Sequence, residues 1–572
     1  MKKYFNSIHR LCCWSLAIIL IIMSSCSKDV LKEKPLDFLA PENAFNTISG
    51  IRQGITGLYY QFRHGWYDEG YNQDAFAIIV CGVGTDVAYH GENPGGNRKL
   101  VNYEFEMTPT NPEFVPYFWN ESYKLIQMAN LLIDGINNTK DEIWNSPEQK
   151  NAYLGEARFF RGWAYRFLVN LYGDVPLVTD VIKIVKTDFV RAPKADVYKQ
   201  IEDDLLFASQ NLPARGKEEA PGRITAAAAW NYLSEAYISQ TKYQSAIDAA
   251  TNVIEGKGYA LMTYRFGSTV DVFGSGDVYL DLFAYGNQNL GENTESIWVL
   301  QYEPIIPGGL GFPGERAFGP AYFRLGNTPD GKPAFVGDLV NGVRTGYSDT
   351  LGRPVAYTRP TNLMSYILWS SDWNNDIRNA KHNIKRDFYF DSPGSIYDKQ
   401  KIDFSLYPPG SRNALADTTQ YIFPFIMKFA DPLHHFTDPI RAGGGFTHKD
   451  VYQIRLAETI LLRAEAYLGL GRKDLAAEDI NKIRRRAKAS EVNAADVDID
   501  YLLDERAREL FGEEFRAITL RRTGKLLERV RKYNNNPMYP ACNIQDYNVL
   551  FPIPQTQIDL NINAKMEQNP GY

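Results

Sequence analysis

Residues 223–259 constrain the fold of this chain more than any other stretch, because they fit two amphipathic helices joined by a short polar turn. Apolar and small residues recur at helical spacing on both sides of that turn, at Leu233 and Tyr237 before it and at Ala246 and Ala250 after it. One pair of helices cannot bury the apolar faces that it presents, so such pairs are stable only when they stack on one another. The sequence therefore predicts further helix pairs.

The spacing inside this stretch is that of a tetratricopeptide repeat. Its first helix carries the pattern W-x2-L-(small)-x2-Y, in which the small residue lets the partner helix approach closely, at Trp230, Leu233, Ser234 and Tyr237. The same small-x2-Tyr spacing recurs from Gly162 to Tyr165 and from Ala464 to Tyr467. We therefore expect a mostly α-helical protein in which helix pairs form a solenoid scaffold, with Trp163 and Trp230 in its core.

Two segments interrupt the helical pattern. Residues 63–116 alternate glycine, asparagine and aromatic residues, and long irregular loops are usually functional. Residues 261–450 hold 21 of the 44 glycines, so turns and short strands dominate there, with the clearest strand candidate at 296–302. We interpret residues 44–260 and 451–572 as the helical scaffold, and residues 261–450 as one large irregular insertion between its helix pairs.

The start of the chain is typical of a lipoprotein signal peptide. Basic residues precede an apolar run at 11–23, which is too short to span a bilayer comfortably. The sequence MSSC, which ends at Cys26, then resembles a bacterial lipobox. It predicts removal of residues 1–25, lipidation of Cys26 and a lipidated tether over residues 26–43. The alternative is an ordinary signal peptide with an incidental cysteine.

Charge and titratable residues argue against several functions. A net charge of -6 disfavours nucleic-acid binding, which needs a basic surface. Cys81 and Cys542 form neither a disulfide framework nor a metal site, although one bridge between them stays open. His434 and His448 lack metal-ligand partners at useful spacing, so we predict no metal and no cofactor. The arginine run at 484–486 fits a solvated helix face.

Several segments together carry a resemblance to a known family. They are EARFFRGWAYRFLVNLYGDVPLV (residues 156–178), GRITAAAAWNYLSEAYISQTKYQSAI (222–247), ESIWVLQY (295–302), IRLAETILLRAEAYLGLG (454–471), ERARELFGEEFRAITLRRTGK (505–525) and the closing FPIP and QNPGY. In this order and behind a lipobox, they make the chain similar to the SusD/RagB family of nutrient-binding outer-membrane lipoproteins, from Cys26 to the last residue.

The resemblance implies a right-handed scaffold of about four tetratricopeptide-like helix pairs, with an irregular domain packed on it. It also implies a cell-surface lipoprotein, anchored in the outer membrane through Cys26, that captures a nutrient, usually an oligosaccharide. The nutrient then passes to a TonB-dependent barrel of the SusC type. Such a protein binds its ligand and is not an enzyme. Two alternatives stay open: a peptide in place of the glycan, and a surface glycoside hydrolase, which needs two carboxylates about 5 to 10 Å apart.

The resemblance places ligand contacts in the two irregular segments. A sugar needs aromatic rings for its apolar face and polar side chains for its hydroxyl groups. In the loop before residue 117 the candidates are Trp66, Tyr89, Asn97 and Arg98. In the insertion they are Trp369 and Trp373, which would share one face of a helix because they are four residues apart. The alternatives are that Tyr89 packs the loop, that Arg98 is a solvated charge and that the two tryptophans lie in the insertion's own core.

Overall fold

The computed structural model describes residues 44–67, 73–91, 100, 102–256, 258–267, 270, 275–309, 311–413, 415, 417–435 and 446–572. The predicted signal peptide and tether, with Cys26, lie outside the described residues, as do the candidate ligand residues Asn97 and Arg98. In the described part of the chain, no helix combines the length and the apolar character that crossing a membrane requires.

Helices make up most of the regular structure. In chain order they are α1 (Ile48–Trp66), α2 (Gln73–Ile79), α3 (Tyr103–Glu106), α4 (Phe114–Asn137), α5 (Pro147–Tyr172), α6 (Lys194–Asn211), α7 (Ala226–Ser239), α8 (Tyr243–Ile254), α9 (Val278–Phe283), α10 (Gly314–Ala317), α11 (Asn362–Ser365), α12 (Leu456–Gly469), α13 (Lys473–Arg486), α14 (Ile499–Leu510), α15 (Arg516–Arg522), α16 (Leu526–Tyr533) and α17 (Gln555–Leu560). The long helices pack as pairs, α1 with α4, α5 with α6, α7 with α8 and α12 with α13, and each pair contacts the next. This stacked series confirms the predicted solenoid.

Small residues set the distance between paired helices. A Cβ atom on Gly162 of α5 would lie 3.2 Å from Leu205 Cγ and 3.3 Å from Asp204 Cβ of α6, which is tighter than ordinary contact. On α7, Ser234 Oγ donates a hydrogen bond to the carbonyl oxygen of Ala246 on α8 at 2.9 Å. Both positions hold the small residue of the repeat pattern, so the sequence identifies where the two backbones approach.

A buried ion pair lies beside the small residue in two of the pairs. The Arg161 guanidinium donates to both carboxylate oxygens of Asp204 at 2.8 and 2.7 Å. Arg463 donates to Asp479 in the same way, at 2.8 and 2.9 Å. In each case the arginine precedes the small residue on the first helix, and the carboxylate lies on the second. Because two parallel hydrogen bonds restrict rotation, each pair fixes how one helix is turned against the other.

The ends of α5 follow from local chemistry. Ser146 Oγ accepts a hydrogen bond from the backbone N–H of Gln149 at 3.3 Å, and Pro147, which lacks an N–H, occupies the first helical position. At the other end Gly173 adopts a φ of 74°, a left-handed conformation that glycine tolerates best. The Gly and Pro residues after Tyr172 predict this end correctly.

The strands are short and, in the described residues, form two-stranded antiparallel ribbons. They are β1 (Ala88–Tyr89), β2 (Val175–Pro176), β3 (Arg191–Ala192), β4 (Ser296–Leu300), β5 (Leu339–Val340), β6 (Val343–Arg344), β7 (Arg359–Pro360), β8 (Ile384–Lys385), β9 (Phe425–Ile426) and β10 (Val451–Arg455). They pair as β1–β7, β2–β3, β4–β10, β5–β6 and β8–β9. In the β4–β10 ribbon, Val451 lies opposite Leu300 and Arg455 opposite Ser296. This ribbon confirms the strand predicted at 296–302 and leads directly into α12.

The loop between α1 and α4 is packed over much of its length. Helices α2 and α3 and strand β1 interrupt it, and residues 75–91 are buried. The Asp86 carboxylate accepts hydrogen bonds from Arg516 at 2.9 and 2.6 Å and from Arg529 at 2.6 Å. Burial alone would raise the pKa of Asp86, but these two arginines hold it below its usual range. The loop is therefore fastened to the C-terminal helices α15 and α16.

A buried group of ion pairs, the ionic cluster, joins the insertion to the scaffold. It contains as many acidic as basic side chains: Asp372, Asp376, Arg378, Lys428, Glu295, Arg455, Arg484, Arg486, Glu505, Arg508, Glu509 and Glu513. Glu509 of α14 is central, because it accepts hydrogen bonds from Arg378 at 3.1 Å, from Arg455 at 2.9 Å and from Arg486. Arg378, Arg455 and Glu509 are fully or almost fully buried.

The solvated helix face predicted at 484–486 is wrong, because two of its three arginines belong to the buried ionic cluster. Arg484 and Arg486 are buried, and Arg485 is half exposed beside Glu491. Arg486 binds Glu295, which lies 191 positions earlier in the chain. Such a partner is invisible to local charge patterning, which explains the error.

Two further points complete the fold. Residues 499–533 form three helices, α14 to α16, within the predicted C-terminal part of the scaffold. Cys81 and Cys542 are buried free thiols, so the bridge that the sequence left open does not form.

Candidate functional site

An aromatic surface stands out in the insertion, after strand β7. Tyr366 is 46 % exposed, Ile367 53 % and Trp373 42 %. Large apolar side chains with this exposure are costly to leave in water when they lie together, so such a patch usually marks a binding surface. We call the set of Tyr366, Trp373 and the neighbouring Arg386 the Trp373 surface.

Arg386 lies between the two rings. Its guanidinium carbon is 4.6 Å from the centre of the Trp373 ring and 5.9 Å from the centre of the Tyr366 ring. Its Nη2 donates to the carbonyl oxygen of Ser365 at 2.9 Å and to Asn379 Oδ1 at 2.6 Å. Its Nε is buried and has no hydrogen-bond partner among the described residues. Burial lowers the pKa of Arg386, and the nearby Tyr366 and Asp387 oppose that shift.

Two anchors from the ionic cluster hold the segment that carries Trp373. On its N-terminal side, Asp372 accepts a hydrogen bond from Arg484 of α13 at 2.8 Å and others from the backbone and hydroxyl of Ser490 at 2.9 and 2.6 Å. On its C-terminal side, Asp376 accepts from Arg378 at 2.9 and 2.7 Å. The aromatic ring is thus mounted on the helical scaffold through charged contacts, which gives a preorganised surface rather than a mobile loop.

The surrounding backbone is tied to the same segment. Asn379 Nδ2 donates to the carbonyl oxygen of Trp373 at 2.7 Å, while Asn379 Oδ1 accepts from Arg386. A single amide therefore fixes the ring-bearing turn and the guanidinium together. The result is two exposed rings, a positioned donor group between them and a rigid support, which is a suitable arrangement for a ligand that has apolar faces and hydroxyl groups.

The other aromatic residues predicted as ligand contacts are buried. Trp66 packs edge-on against Trp163 with ring centres 4.9 Å apart, and it is 3 % exposed. Trp369 is 1 % exposed and donates its indole N–H to the carbonyl oxygen of Met364 at 2.7 Å. Tyr89 is 3 % exposed and its hydroxyl accepts from Arg359 Nε at 2.6 Å. A ring with no exposed face cannot stack on a sugar, so the structure does not bring these three residues to a surface on which a sugar could stack.

The helix expected to align Trp369 with Trp373 does not form. Helix α11 ends at Ser365, and residues 367–379 consist of tight turns that point the two indoles in different directions, one into the core and one outward. Of the four aromatic candidates, which all lie in the described part of the chain, Trp373 is the one on a surface. Trp163 is fully buried and Trp230 packs against the same core, as the repeat pattern predicts.

Sequence reasoning missed Tyr366 and Arg386. Tyr366 is three residues before Trp369, in the same aromatic stretch, so an aromatic count over 366–373 would have included it. Arg386 offers no such signal, because its place between the rings depends on how the turns of the insertion fold. Arg359, which holds Tyr89, likewise comes from the opposite strand of the β1–β7 ribbon.

Comparison with known families identifies related chains. The profile described as "SusD family" matches residues 371–572, and the profile described as "Starch-binding associating with outer membrane" matches residues 96–238. Between them the two profiles match more than half of the chain. The range 96–238 contains the first two helices that carry the small-x2-Tyr pattern. The range 371–572 contains Trp373 and Arg386.

Individual relatives are distant, and several of them match along nearly the whole length of the chain. A protein of Formosa agariphila named "SusD-like protein P25" is 24 % identical over 95 % of this chain and 96 % of its own length. Among solved structures, a "Laminarin binding SusD-like protein" has a TM-score of 0.64 at 21 % identity and covers 92 % of this chain and all of its own. "Surface glycan-binding protein A from Bacteroides thetaiotaomicron in complex with laminarihexaose" has a TM-score of 0.63 at 18 % identity, with 91 % and 99 % coverage.

Proposed function

Because the chain belongs to the SusD/RagB family, we propose that it is a cell-surface protein that binds an oligosaccharide on the Trp373 surface. The observation that carries this proposal is the exposed pair of Tyr366 and Trp373 on either side of a fixed guanidinium. Ring faces stack on the C–H faces of sugars, and Arg386 donates hydrogen bonds to their hydroxyl groups. Two relatives of the same fold bear names that state glycan binding, which supports this ligand class.

We propose that the bound glycan is not hydrolysed at this surface. Hydrolysis needs a proton donor and a second carboxylate at a fixed separation. Asp372 and Asp376, the carboxylates that flank Trp373, are both engaged by arginines. Burial would raise the pKa of Asp372, but hydrogen bonds from Ser490 and the charge of Arg484 lower it, so Asp372 is a poor acid.

The proposed cellular role follows from the family and from the start of the sequence. Lipidated Cys26 would hold the protein at the outer membrane, and a SusC-like TonB-dependent barrel would take up the captured ligand. The family description that mentions the outer membrane supports the location. Mass spectrometry of the N-terminal peptide tests lipidation, and capture of a barrel from solubilised outer membranes with the tagged protein tests the partner.

The ligand experiment compares binding by matched variants. Trp373→Ala and Tyr366→Ala should each weaken the affinity for the oligosaccharide by about tenfold or more, since a truncated aromatic contact at the centre of a site costs at least about 1.4 kcal/mol. Tyr60→Ala is the control, because Tyr60 lies on α1 and its 43 % exposure matches that of the other two rings. Isothermal titration with laminarihexaose, preceded by a glycan and peptide screen, gives the affinities.

The outcomes separate the alternatives. Unchanged affinity when Tyr366→Ala and Trp373→Ala are combined in one variant would show that the glycan binds elsewhere. Binding of peptides in the absence of any glycan would replace the ligand class. Release of reducing sugar from a bound polysaccharide would show that the protein is a glycoside hydrolase.

A further inference from the structure

Two arginines of the insertion, Arg324 and Arg353, have no carboxylate partner in the described part of the chain, whereas the arginines of the ionic cluster are all paired. The guanidinium carbons of Arg324 and Arg353 each lie 5.5 Å from the centre of the Phe323 ring, so one phenyl ring is shared by two cations. Arg316 is joined to the same region, because its carbonyl oxygen accepts from the N–H of Val355 at 2.9 Å. We call Arg316, Arg324 and Arg353 the arginine cluster.

Within the described part of the chain, no carboxylate lies within ion-pair distance of the side chains of Arg324 and Arg353. Glu315, the residue before Arg316, is already engaged: it accepts from the backbone N–H of Arg353 at 3.2 Å and lies 2.7 Å from His435 Nδ1. Burial lowers the pKa of Arg353, and the charges of Arg316 and Arg324 lower it further. The like charges therefore repel one another, which is a cost that a bound anion from solution would remove.

Several buried or half-buried arginines show the kind of partner that Arg324 and Arg353 lack among the described residues. Arg161, Arg223, Arg412 and Arg463 all bind a carboxylate in the same chain. The planar guanidinium offers paired N–H donors that fit a carboxylate or a sulfate at two points. The side chains of Arg324 and Arg353 face no such group among the described residues, and because Arg324 is exposed and Arg353 is half-buried, an external anion can reach them.

The aromatic surroundings point to the kind of molecule that carries the anion. The rings of Phe323 and Tyr347 lie 6.1 Å apart and both are half-buried. The ring of Tyr357, which packs 5.8 Å from His90, lies 5.8 Å from the Arg316 guanidinium. A flat apolar face beside cationic donors suits a sugar ring that bears an acidic substituent better than it suits a bare inorganic ion.

We propose that Arg324 and Arg353, together with Arg316, form a site for the sulfate ester or the carboxylate of an anionic glycan. That the anion belongs to a glycan rests on the proposed function, whereas the presence of an anion site does not. The two anions share one chemistry, an oxyanion with oxygens spaced for a guanidinium, and the experiment distinguishes them.

The first measurement needs no glycan. The midpoint of heat unfolding of the purified protein is compared in sodium sulfate and in sodium chloride at equal ionic strength. Because sulfate also stabilises proteins generally, the rise in midpoint is compared between the wild type and a variant. The midpoint of the wild type should rise more in sulfate than that of Arg324→Gln/Arg353→Gln does. The control is Arg158→Gln/Lys199→Gln, which removes the same charge from the scaffold. Arg158 lies over Phe207 at 4.3 Å without a carboxylate partner in the described residues, and Lys199 is exposed.

The second measurement identifies the source of the anion. Isothermal titration is carried out with dextran sulfate, polygalacturonate and neutral dextran at about 0.15 M salt, where exposed charges are screened beyond about 8 Å. The Arg324→Gln/Arg353→Gln variant should bind one of the two polyanions at least about tenfold more weakly than the wild type and the control variant do. The polyanion whose binding is weakened by the substitutions shows whether the two arginines bind a sulfate or a carboxylate.

Each outcome decides a stated part. Equal sulfate gains in the wild type and the arginine variant, with equal polyanion affinities, would overturn the site. A larger wild-type gain without any polyanion binding would overturn the assignment to a glycan. If Trp373→Ala weakens laminarihexaose binding while the sulfate gains are equal, the proposed function stands and the anion site fails. If Trp373→Ala leaves laminarihexaose binding unchanged while the wild type gains more from sulfate, the anion site stands and the proposed function fails. The arginine variant should fold with an unlowered midpoint in chloride, because it loses no ion pair.

Discussion

Replacing Glu509 with glutamine tests how strongly the ionic cluster holds the insertion on the scaffold. The two side chains have the same shape, so the substitution makes no cavity and removes only charge. Glu509 faces three arginines, Arg378, Arg455 and Arg486, in a fully buried position. Removing one partner from a buried ion pair costs about 3 to 5 kcal/mol, because the opposite charge is left uncompensated.

The structure places the expected loss at the lower end of this range, near 3 kcal/mol. Each of the three arginines keeps at least one other carboxylate: Arg378 keeps Asp376 and Glu505, Arg455 keeps Glu295 and Glu513, and Arg486 keeps Glu295. The assay is urea unfolding at pH 7, followed by tryptophan fluorescence. Glu528→Gln is the control, since Glu528 is 58 % exposed beside Lys525, and such a surface pair contributes less than about 1 kcal/mol.

The pH dependence of the unfolding free energy tests the same prediction independently. Burial would raise the pKa of Glu509, but Arg486, Arg455 and Arg378 lower it well below its usual range. A carboxylate whose pKa is depressed by folding stabilises the protein fully above its unfolded value of about 4.3, and that contribution is lost as the pH falls toward the folded value. The gap in unfolding free energy between wild type and Glu509→Gln should therefore narrow below about pH 4.3. A gap under about 1 kcal/mol at pH 7, with unchanged dependence on urea, would refute the reasoning.

Two further predictions concern the scaffold and the thiols. Gly162→Val should lower stability by about 1 to 3 kcal/mol, because the added carbons meet Leu205 and Asp204 at the α5–α6 contact, while Gly291→Val, where nothing lies within 4 Å, should cost far less in the same thermal unfolding assay. Cys81 and Cys542 should react with a thiol reagent only on unfolding, because burial raises the pKa of both and takes that of Cys542 to about 12; rapid labelling of the native protein would contradict their burial.

The scaffold could be predicted from the sequence because its signals are local. Gly162, Ser234 and Ala464 occupy the small position of a repeat with fixed spacing, and Gly173 ends α5 by its own conformational freedom. Each of these features depends on residues within one or two helical turns, so the periodic pattern alone indicates it.

The candidate site could be predicted only in part, because its geometry depends on contacts between distant residues. Trp369 and Trp373 have the same residue type and neighbouring positions, yet one indole is buried and the other is exposed. What separates them is the anchoring of Asp372 to Arg484 and Ser490, more than a hundred residues away. No pattern within the insertion encodes that contact, and the same holds for the place of Arg386 between two rings.

The β4–β10 ribbon has a consequence for how this chain can change. The two strands bring residues 300 and 451 side by side, so residues 301–450 form one excursion whose two ends are already closed. The entropy of closing such an excursion grows only with the logarithm of its length, by about 0.6 kcal/mol for each doubling. Insertions and deletions within it are therefore inexpensive for the helices beneath, provided that the ionic cluster is spared. Because the ribbon fixes both ends of this segment, a recognition segment of a different length could replace it without changes to the helical scaffold.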